Sequence, residues 1–165
     1  MEPGYALAAP AWALALQASA LGHAMRESTW LYPAANLLHL LGLALLVGSM
    51  VLLDLRLLGV GRTVPLAAFS HFLTPAAIAG LLLMLGSGFA LFAADAGPLI
   101  VNEILQIKFI LIALGVANAL AFRWLWAQKL ANWDRHAPAL GRAQAALSLV
   151  VWLGTASAGR LIAYF

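Results

Sequence analysis

His39 is the residue whose position most clearly indicates chemistry, because it lies inside a long apolar segment. From Ala34 to Leu53 the only polar residues are Asn36, His39 and Ser49, and about 20 apolar residues are enough to span a bilayer as a helix. An ionisable side chain inside such a helix is costly, so it indicates a functional site. The imidazole nitrogen of His39 is therefore the first candidate ligand for haem iron or copper.

The elements that position His39 are membrane helices, as the composition of the whole chain indicates. Of the 165 residues, 64% are hydrophobic and 9% are charged, whereas soluble domains are about 45–50% apolar and about 25% charged. The sequence contains no cysteine, which excludes disulfides, thiolate metal sites, c-type haem attachment and cysteine nucleophiles. We therefore expect an integral membrane protein that binds haem or metal through histidine, methionine, lysine or carboxylate.

Four apolar segments predict an all-α fold, an integral membrane four-helix up-down bundle. Short links between successive segments favour antiparallel neighbours. The predicted membrane helices span residues 34–56, 67–92, 99–126 and 142–164 of a bundle that covers residues 30–165.

Residues 1–29 form a separate N-terminal region that is less apolar than the four segments. An amphipathic helix from Pro10 to Met25, lying at the membrane interface, is favoured there over a further membrane span. A cleaved signal peptide is disfavoured because the region lacks a basic start.

The distribution of basic residues predicts the orientation of the bundle. Two of its links, with the adjoining helix ends, contain Arg56, Arg62, Arg123, Lys129, Arg135 and Arg142. The link between the second and third helices contains Asp95 and no basic residue. By the positive-inside rule the two basic links are cytoplasmic, so both termini are expected on the periplasmic side of a bacterial inner membrane. The basic residues form no stripe, and we expect no nucleic acid partner.

Polar residues from several helices are predicted to share a layer near the periplasmic face. At a rise of about 1.5 Å per residue, His39 lies about 8 Å inside the outer boundary, and Met84, Lys108 and Arg160 reach similar depths. Such a layer has the parts of a haem b site, because the imidazole supplies an axial nitrogen and the cations neutralise propionates. Lys108 and Arg160 could instead extend to the membrane surface.

The second axial ligand and the surface beside the haem have candidates as well. Met84 in the second helix, or His23 from the interfacial helix, could bind the iron opposite His39. Gly80 and Gly88 share a helical face with Met84, and this face suits either a flat porphyrin or a close contact between helices.

Two resemblances to known families add to this interpretation. The segments RESTWLYP, HLLGLALLVGSMVLLDLRLLG, QIKFILIALGVANALAF and AGRLIAYF resemble an uncharacterised family of small bacterial four-helix membrane proteins. More distantly, His39, TPA at residues 74–76 and LQIKFI at residues 105–110 resemble the superfamily of the copper-resistance D (CopD) membrane domain and the HemJ-type protoporphyrinogen oxidases. The HemJ type uses a first-helix histidine and a third-helix lysine for haem b binding, which implies this role for His39 and Lys108. The chain departs from that type in its N-terminal helix and in Arg160.

These observations predict a haem b-binding inner-membrane protein that transfers electrons or anchors a redox partner. Its partners would be the lipid bilayer, a quinone and a periplasmic redox protein, and it could form homo-oligomers or hetero-oligomers. One alternative is a copper-handling protein that uses His39, Met84, Met25 and His23. Another is a non-catalytic accessory subunit of a larger membrane complex. Because the sequence contains no hydrolase or nucleotide-binding motif, any enzymatic activity is expected to be that of an oxidoreductase.

Overall fold

Helices make up nearly all of the computed structural model, which describes residues 9–162 and residue 164. In chain order they are α1 (Ala11–Gln17), α2 (Ala20–Glu27), α3 (Leu31–Leu58), α4 (Leu66–Ala94), α5 (Ala96–Ile100), α6 (Glu103–Trp126), a 3₁₀ helix (Ala127–Asn132), α7 (Trp133–His136) and α8 (Ala139–Leu161). The predicted all-α class is confirmed for this part of the chain. Residues 1–8 of the predicted N-terminal region, Ala163 of the predicted fourth helix and Phe165 lie outside the described residues.

Three segments of the described chain are long and apolar enough to cross a membrane, namely α3, α4 and the stretch Glu103–His136 that contains α6. The 28 residues of α3 correspond to about 42 Å of helix, which exceeds a hydrocarbon core of about 30 Å. By length and composition the chain is a multi-pass membrane protein. The fourth predicted span corresponds to α8, which is 23 residues long but is not among these three segments.

Two helix boundaries differ from the predicted ones because side chains cap the helices there. The third predicted helix starts at residue 99, whereas α6 starts at Glu103 because the Asn102 side chain caps it, accepting a hydrogen bond from the Leu105 amide at 3.0 Å. The single N-terminal helix predicted from Pro10 to Met25 is wrong, since the chain forms α1 and α2 instead. Ser19 separates them by capping α2, where its hydroxyl accepts from the Gly22 amide at 3.3 Å.

The N-terminal helices pack against the protein at the end of α4. The guanidinium of Arg26 donates hydrogen bonds to the carbonyl oxygens of Ala94 and Gln17. The side-chain oxygen of Gln17 accepts from the Gly97 amide at 2.7 Å. These bonds satisfy backbone groups at the break between α4 and α5, so α1 and α2 hold this turn in place.

Glycines allow α3 and α4 to pack with their backbones in direct contact. A Cβ atom at Gly80 would lie 2.5 Å from the Leu46 nitrogen and 2.7 Å from the Gly42 oxygen. A Cβ atom at Gly42 would in turn lie 2.9 Å from the Gly80 oxygen. Small residues at such crossings let membrane helices approach closely and gain van der Waals contact.

The end of α3 is tied to the segment that precedes α8. The buried guanidinium of Arg56 donates to both carboxylate oxygens of Asp134, at 2.8 and 2.7 Å, and to the Val64 carbonyl. The indole nitrogen of the buried Trp133 donates to the Leu57 carbonyl at 3.0 Å. A paired guanidinium and satisfied carbonyls avoid the cost of burying these groups alone.

The long helices are packed in the order α4, α3, α8 and α6. α3 packs against both α4 and α8, and α8 packs against α6, where the Trp152 ring lies 2.9 Å from the position of a Cβ at Gly115. α4 and α6 are not packed against each other in the described chain, although α5 alone separates them in sequence. A gap therefore runs between α4 and α6, with α3 and α8 beneath it.

The glycine contact predicts opposite effects for two alanine substitutions in α4. In a helix interior, Gly→Ala normally stabilises by about 1 kcal/mol, and a Cβ at Gly86 would meet nothing within 4 Å. Gly86→Ala should therefore be neutral or stabilising in a denaturant titration in detergent micelles. Gly80→Ala should destabilise by about 1–3 kcal/mol because it forces α3 and α4 apart. Equal effects at the two positions would contradict this helix contact.

Loss of the Asp134 carboxylate should weaken the connection between α3 and α7. Asp134→Ala leaves the buried Arg56 guanidinium with one acceptor, so we expect unfolding free energy to fall by about 1.5–3 kcal/mol. Asp95→Ala, at an exposed acidic residue, is the control and should change stability by less than about 0.5 kcal/mol. A tolerated Asp134→Ala variant would show that the ion pair does not hold these segments together.

Candidate functional site

Two of the predicted site residues, His39 and Lys108, lie in the same part of the helix bundle. His39 of α3 packs on α4, and Lys108 of α6 packs on α8. Lys108 lies close enough to act electrostatically on the His39 ring. The structure thus brings the first-helix histidine and the third-helix lysine into one neighbourhood, and both side chains are partly buried.

Ser87 determines which nitrogen of His39 is free. The Ser87 hydroxyl donates its single hydrogen to the Leu83 carbonyl at 2.5 Å. Its oxygen lies 3.0 Å from Nδ1 of His39, and with the hydroxyl hydrogen directed to Leu83 this oxygen accepts from a protonated Nδ1. In neutral His39 the lone pair is then on Nε2, which is the nitrogen available to a ligand.

Gly88 gives the His39 ring its place on α4. A Cβ atom at Gly88 would lie 3.0 Å from Cε1 and 3.4 Å from Nδ1 of the ring. The imidazole therefore packs directly on the backbone of α4, beside its hydrogen bond to Ser87. Packing and a hydrogen bond to the second nitrogen are the interactions that orient a ligating histidine.

Lys108 brings a positive charge to this neighbourhood. Its ammonium nitrogen lies 3.4 Å from the position that a Cβ would take at Gly159 of α8, so the lysine side chain extends along this glycine. The salt bridges of the described residues do not include Lys108. An ammonium group in this position can pair with an anionic group of a ligand.

Met84 and Gly80 take part in the contact between α3 and α4. The Met84 side chain is 7% exposed and belongs to a buried cluster with Leu46, Ala77 and Trp152. Its Cγ lies 2.9 Å from the position of a Cβ at Gly42. The sequence left two roles open for this glycine-containing face, namely a surface for a flat porphyrin or a close contact between helices. In the structure, Gly80 and Met84 take part in the helix contact.

Arg160 and His23 lie on the outside of the protein. The exposed Arg160 donates to the Tyr164 hydroxyl at 2.7 Å, and its guanidinium carbon lies 5.0 Å from the centre of the Tyr164 ring. The exposed His23 lies 3.5 Å from a carboxylate oxygen of Glu27, one turn further along α2. The described residues contain no group of three or more histidine, aspartate or glutamate side chains able to hold a metal ion.

The sequence interpretation missed two features of the site region. Ser87 shares a face with Met84 and Gly88, but its bond to His39 depends on how α3 and α4 cross. Asp54 is almost completely buried, at 2% exposure, although it lies two residues before the predicted end of the first helix at residue 56. A carboxylate within the run LLDLRLL is the signal that could have identified it.

Comparisons with protein-family models, with curated proteins and with solved structures find no match to this chain. The resemblances described above therefore stay predictions. The candidate site depends on the geometry of His39, Ser87, Gly88 and Lys108 alone.

The tautomer of His39 can be measured directly. A variant with His23, His71 and His136 changed to glutamine retains His39 as its single histidine. In ¹⁵N NMR spectra of this variant in a bilayer at neutral pH, we expect a protonated Nδ1 and an unprotonated Nε2. Ser87→Ala should remove this preference because the acceptor for Nδ1 is lost. A protonated Nε2 in the parent variant would contradict the assignment.

Proposed function

We propose that this chain is a haem b-binding protein of the bacterial inner membrane, which transfers electrons or anchors a redox partner near the periplasmic face. The observation that carries the proposal is the hydrogen bond between His39 and Ser87, because it leaves Nε2 with a lone pair. A histidine that is held in this tautomer inside an apolar helix is suited to bind iron.

His39 would hold the haem as an axial ligand, and Lys108 would lie near enough to pair with a propionate. Arg160 is a further cation at the same end of the protein, at the exposed surface of α8. Haem b would supply one-electron exchange when bound, with a potential that depends on the axial ligands and on burial. The role of the chain is then to orient the imidazole and to supply positive charge. The resemblance to the HemJ type agrees with His39 and Lys108 in these roles.

The proposed topology has four membrane helices and both termini in the periplasm. The 23 residues of α8 correspond to about 34 Å of helix, and α8 packs lengthwise between α3 and α6. Arg56 lies in the last turn of α3 and Arg142 in the first turn of α8, and Arg62 and Lys129 lie in the links beside them. These basic residues favour a cytoplasmic position for this end of the two helices. In this orientation His39 is near the periplasmic side, within reach of a redox protein there, and a membrane quinol is the proposed electron donor.

A visible spectrum of the protein purified after haem-supplemented expression tests this proposal. We expect a b-type spectrum after dithionite reduction, with close to one haem per chain in a pyridine haemochrome assay. His39→Ala should abolish the Soret band because the axial nitrogen is lost. Lys108→Ala should lower haem retention while the protein stays folded. His71→Ala is the control, since His71 is exposed near the other end of α4, and its haem content should equal that of the parent.

Other outcomes would contradict the proposal. A colourless protein with bound copper that is lost on changing Met84 or His23 would favour copper handling. A colourless and copper-free protein that co-purifies with another membrane protein would favour an accessory subunit. Unchanged haem content in His39→Ala would place any haem elsewhere.

A further inference from the structure

A cavity of about 280 Å³ lies in the gap between α4 and α6. Helices α3 and α8 form its base, and side chains of α4 and α6 form its two walls. Most of the lining is apolar, and two of the lining residues, Ile78 and Leu120, are 54% and 66% exposed on the faces of α4 and α6. In a membrane these faces meet lipid, so the cavity is accessible to lipophilic molecules from the side.

Three residues that line this cavity each have a buried polar atom without a hydrogen-bond partner among the described residues. These atoms are Oδ2 of Asp54, Oγ of Ser148 and Nε1 of Trp152. Their residues are only 2%, 2% and 1% exposed, respectively. Buried polar groups almost always have partners, because an unsatisfied donor or acceptor is costly. Three such atoms around one cavity therefore indicate that something else binds there.

The chemistry of the three atoms defines the missing partner. Nε1 of Trp152 only donates, the Asp54 carboxylate accepts, and the Ser148 hydroxyl can do either. A hydroxyl group satisfies both requirements, since its hydrogen bonds to Asp54 and its oxygen accepts from Trp152. An ammonium group would leave Trp152 without an acceptor, and an anion would have no hydrogen to donate to Asp54.

The size and lining of the cavity define the rest of the ligand. Small-molecule pockets usually measure about 300–1,000 Å³, so this cavity accommodates a single ring with short substituents. The apolar lining favours an aromatic ring over a sugar or another polar group. We propose that the cavity binds the ring of a lipophilic phenol or quinol, which enters from the membrane and is held by its hydroxyl group at Asp54, Ser148 and Trp152.

This site is separate from the one proposed for haem. Asp54 follows His39 by 15 positions in the same helix, which corresponds to about 22 Å along α3. The binding inference does not depend on haem, and it names a class of molecule that includes the quinol proposed as the electron donor. The His39→Ala variant should therefore bind the ligand as the parent protein does.

Binding of three matched probes to the protein in lipid nanodiscs tests the site. The probes are an alkylated hydroquinone, the corresponding alkylated phenol and the dimethyl ether of the hydroquinone. We follow the six indole N–H signals of ¹⁵N-tryptophan-labelled protein and assign Trp152 from the spectrum of Trp152→Phe. The two hydroxylated probes should shift the Trp152 signal saturably, and the ether should bind at least about tenfold more weakly because it cannot donate to Asp54.

Comparison of the two hydroxylated probes identifies the source of the ligand. Tighter binding of the hydroquinone indicates a membrane quinol, and equal binding indicates the broader phenol class. Both results support the proposed site. Equal binding of the ether and the hydroquinone would overturn it, since the hydroxyl hydrogen would then play no part.

Substitutions at the hydrogen-bonding positions provide a second readout, with affinity measured by displacement of a labelled hydroquinone. Asp54→Leu keeps the branched shape of the side chain without its acceptors, and Trp152→Phe removes the donor. Each should weaken binding about tenfold or more.

The matched controls are Trp124→Phe and Ser157→Ala. Trp124 is 86% exposed, the Ser157 hydroxyl donates to Leu153, and both residues lie outside the cavity lining. These controls should leave the affinity unchanged. An absence of saturable binding in the parent protein would show that water alone satisfies the three buried atoms and would overturn the proposal.

Discussion

The close approach of α3 and α4 at Gly42 and Gly80 is the constraint on which the rest of the structure depends. Because neither glycine has a side chain, the two backbones meet, and the helix faces on either side of the crossing are brought together. Seven and eight residues after Gly80, this contact brings Ser87 and Gly88 against the His39 ring. α3 is held between α4 and α8, and α6 packs against α8. The short link through α5 therefore does not bring α6 against α4, and a gap remains between them.

The packing of α3, α6 and α8 gives the protein two regions of different chemistry. Near one end, a histidine with a free Nε2 and a lysine suit an iron-bearing, anionic cofactor. Towards the other end, Asp54, Ser148 and Trp152 surround an apolar cavity without partners of their own. Both regions contain polar groups inside a membrane domain, where such groups are costly, and the proposed ligands would account for their presence.

Sequence alone predicted the long helices well, because length and hydropathy are local properties. The observed bounds of α3 and α4 lie within three residues of the predicted ones. The break at Ser19 and the start of α6 at Glu103 depend on side-chain caps, which hydropathy does not detect. His39 was found because it is an ionisable residue in an apolar run. Arg160 was grouped with it by depth, and His23 was proposed to approach from the interfacial helix. Neither argument determines which way a side chain points, and both residues are exposed.

The most direct test is X-ray diffraction at the iron absorption edge, from crystals grown in a lipid phase after haem-supplemented expression. The account predicts an anomalous iron peak at bonding distance from Nε2 of His39, with Nδ1 still bonded to Ser87. It would be contradicted by a map with no iron peak in which Nε2 of His39 is hydrogen-bonded to another group of the protein.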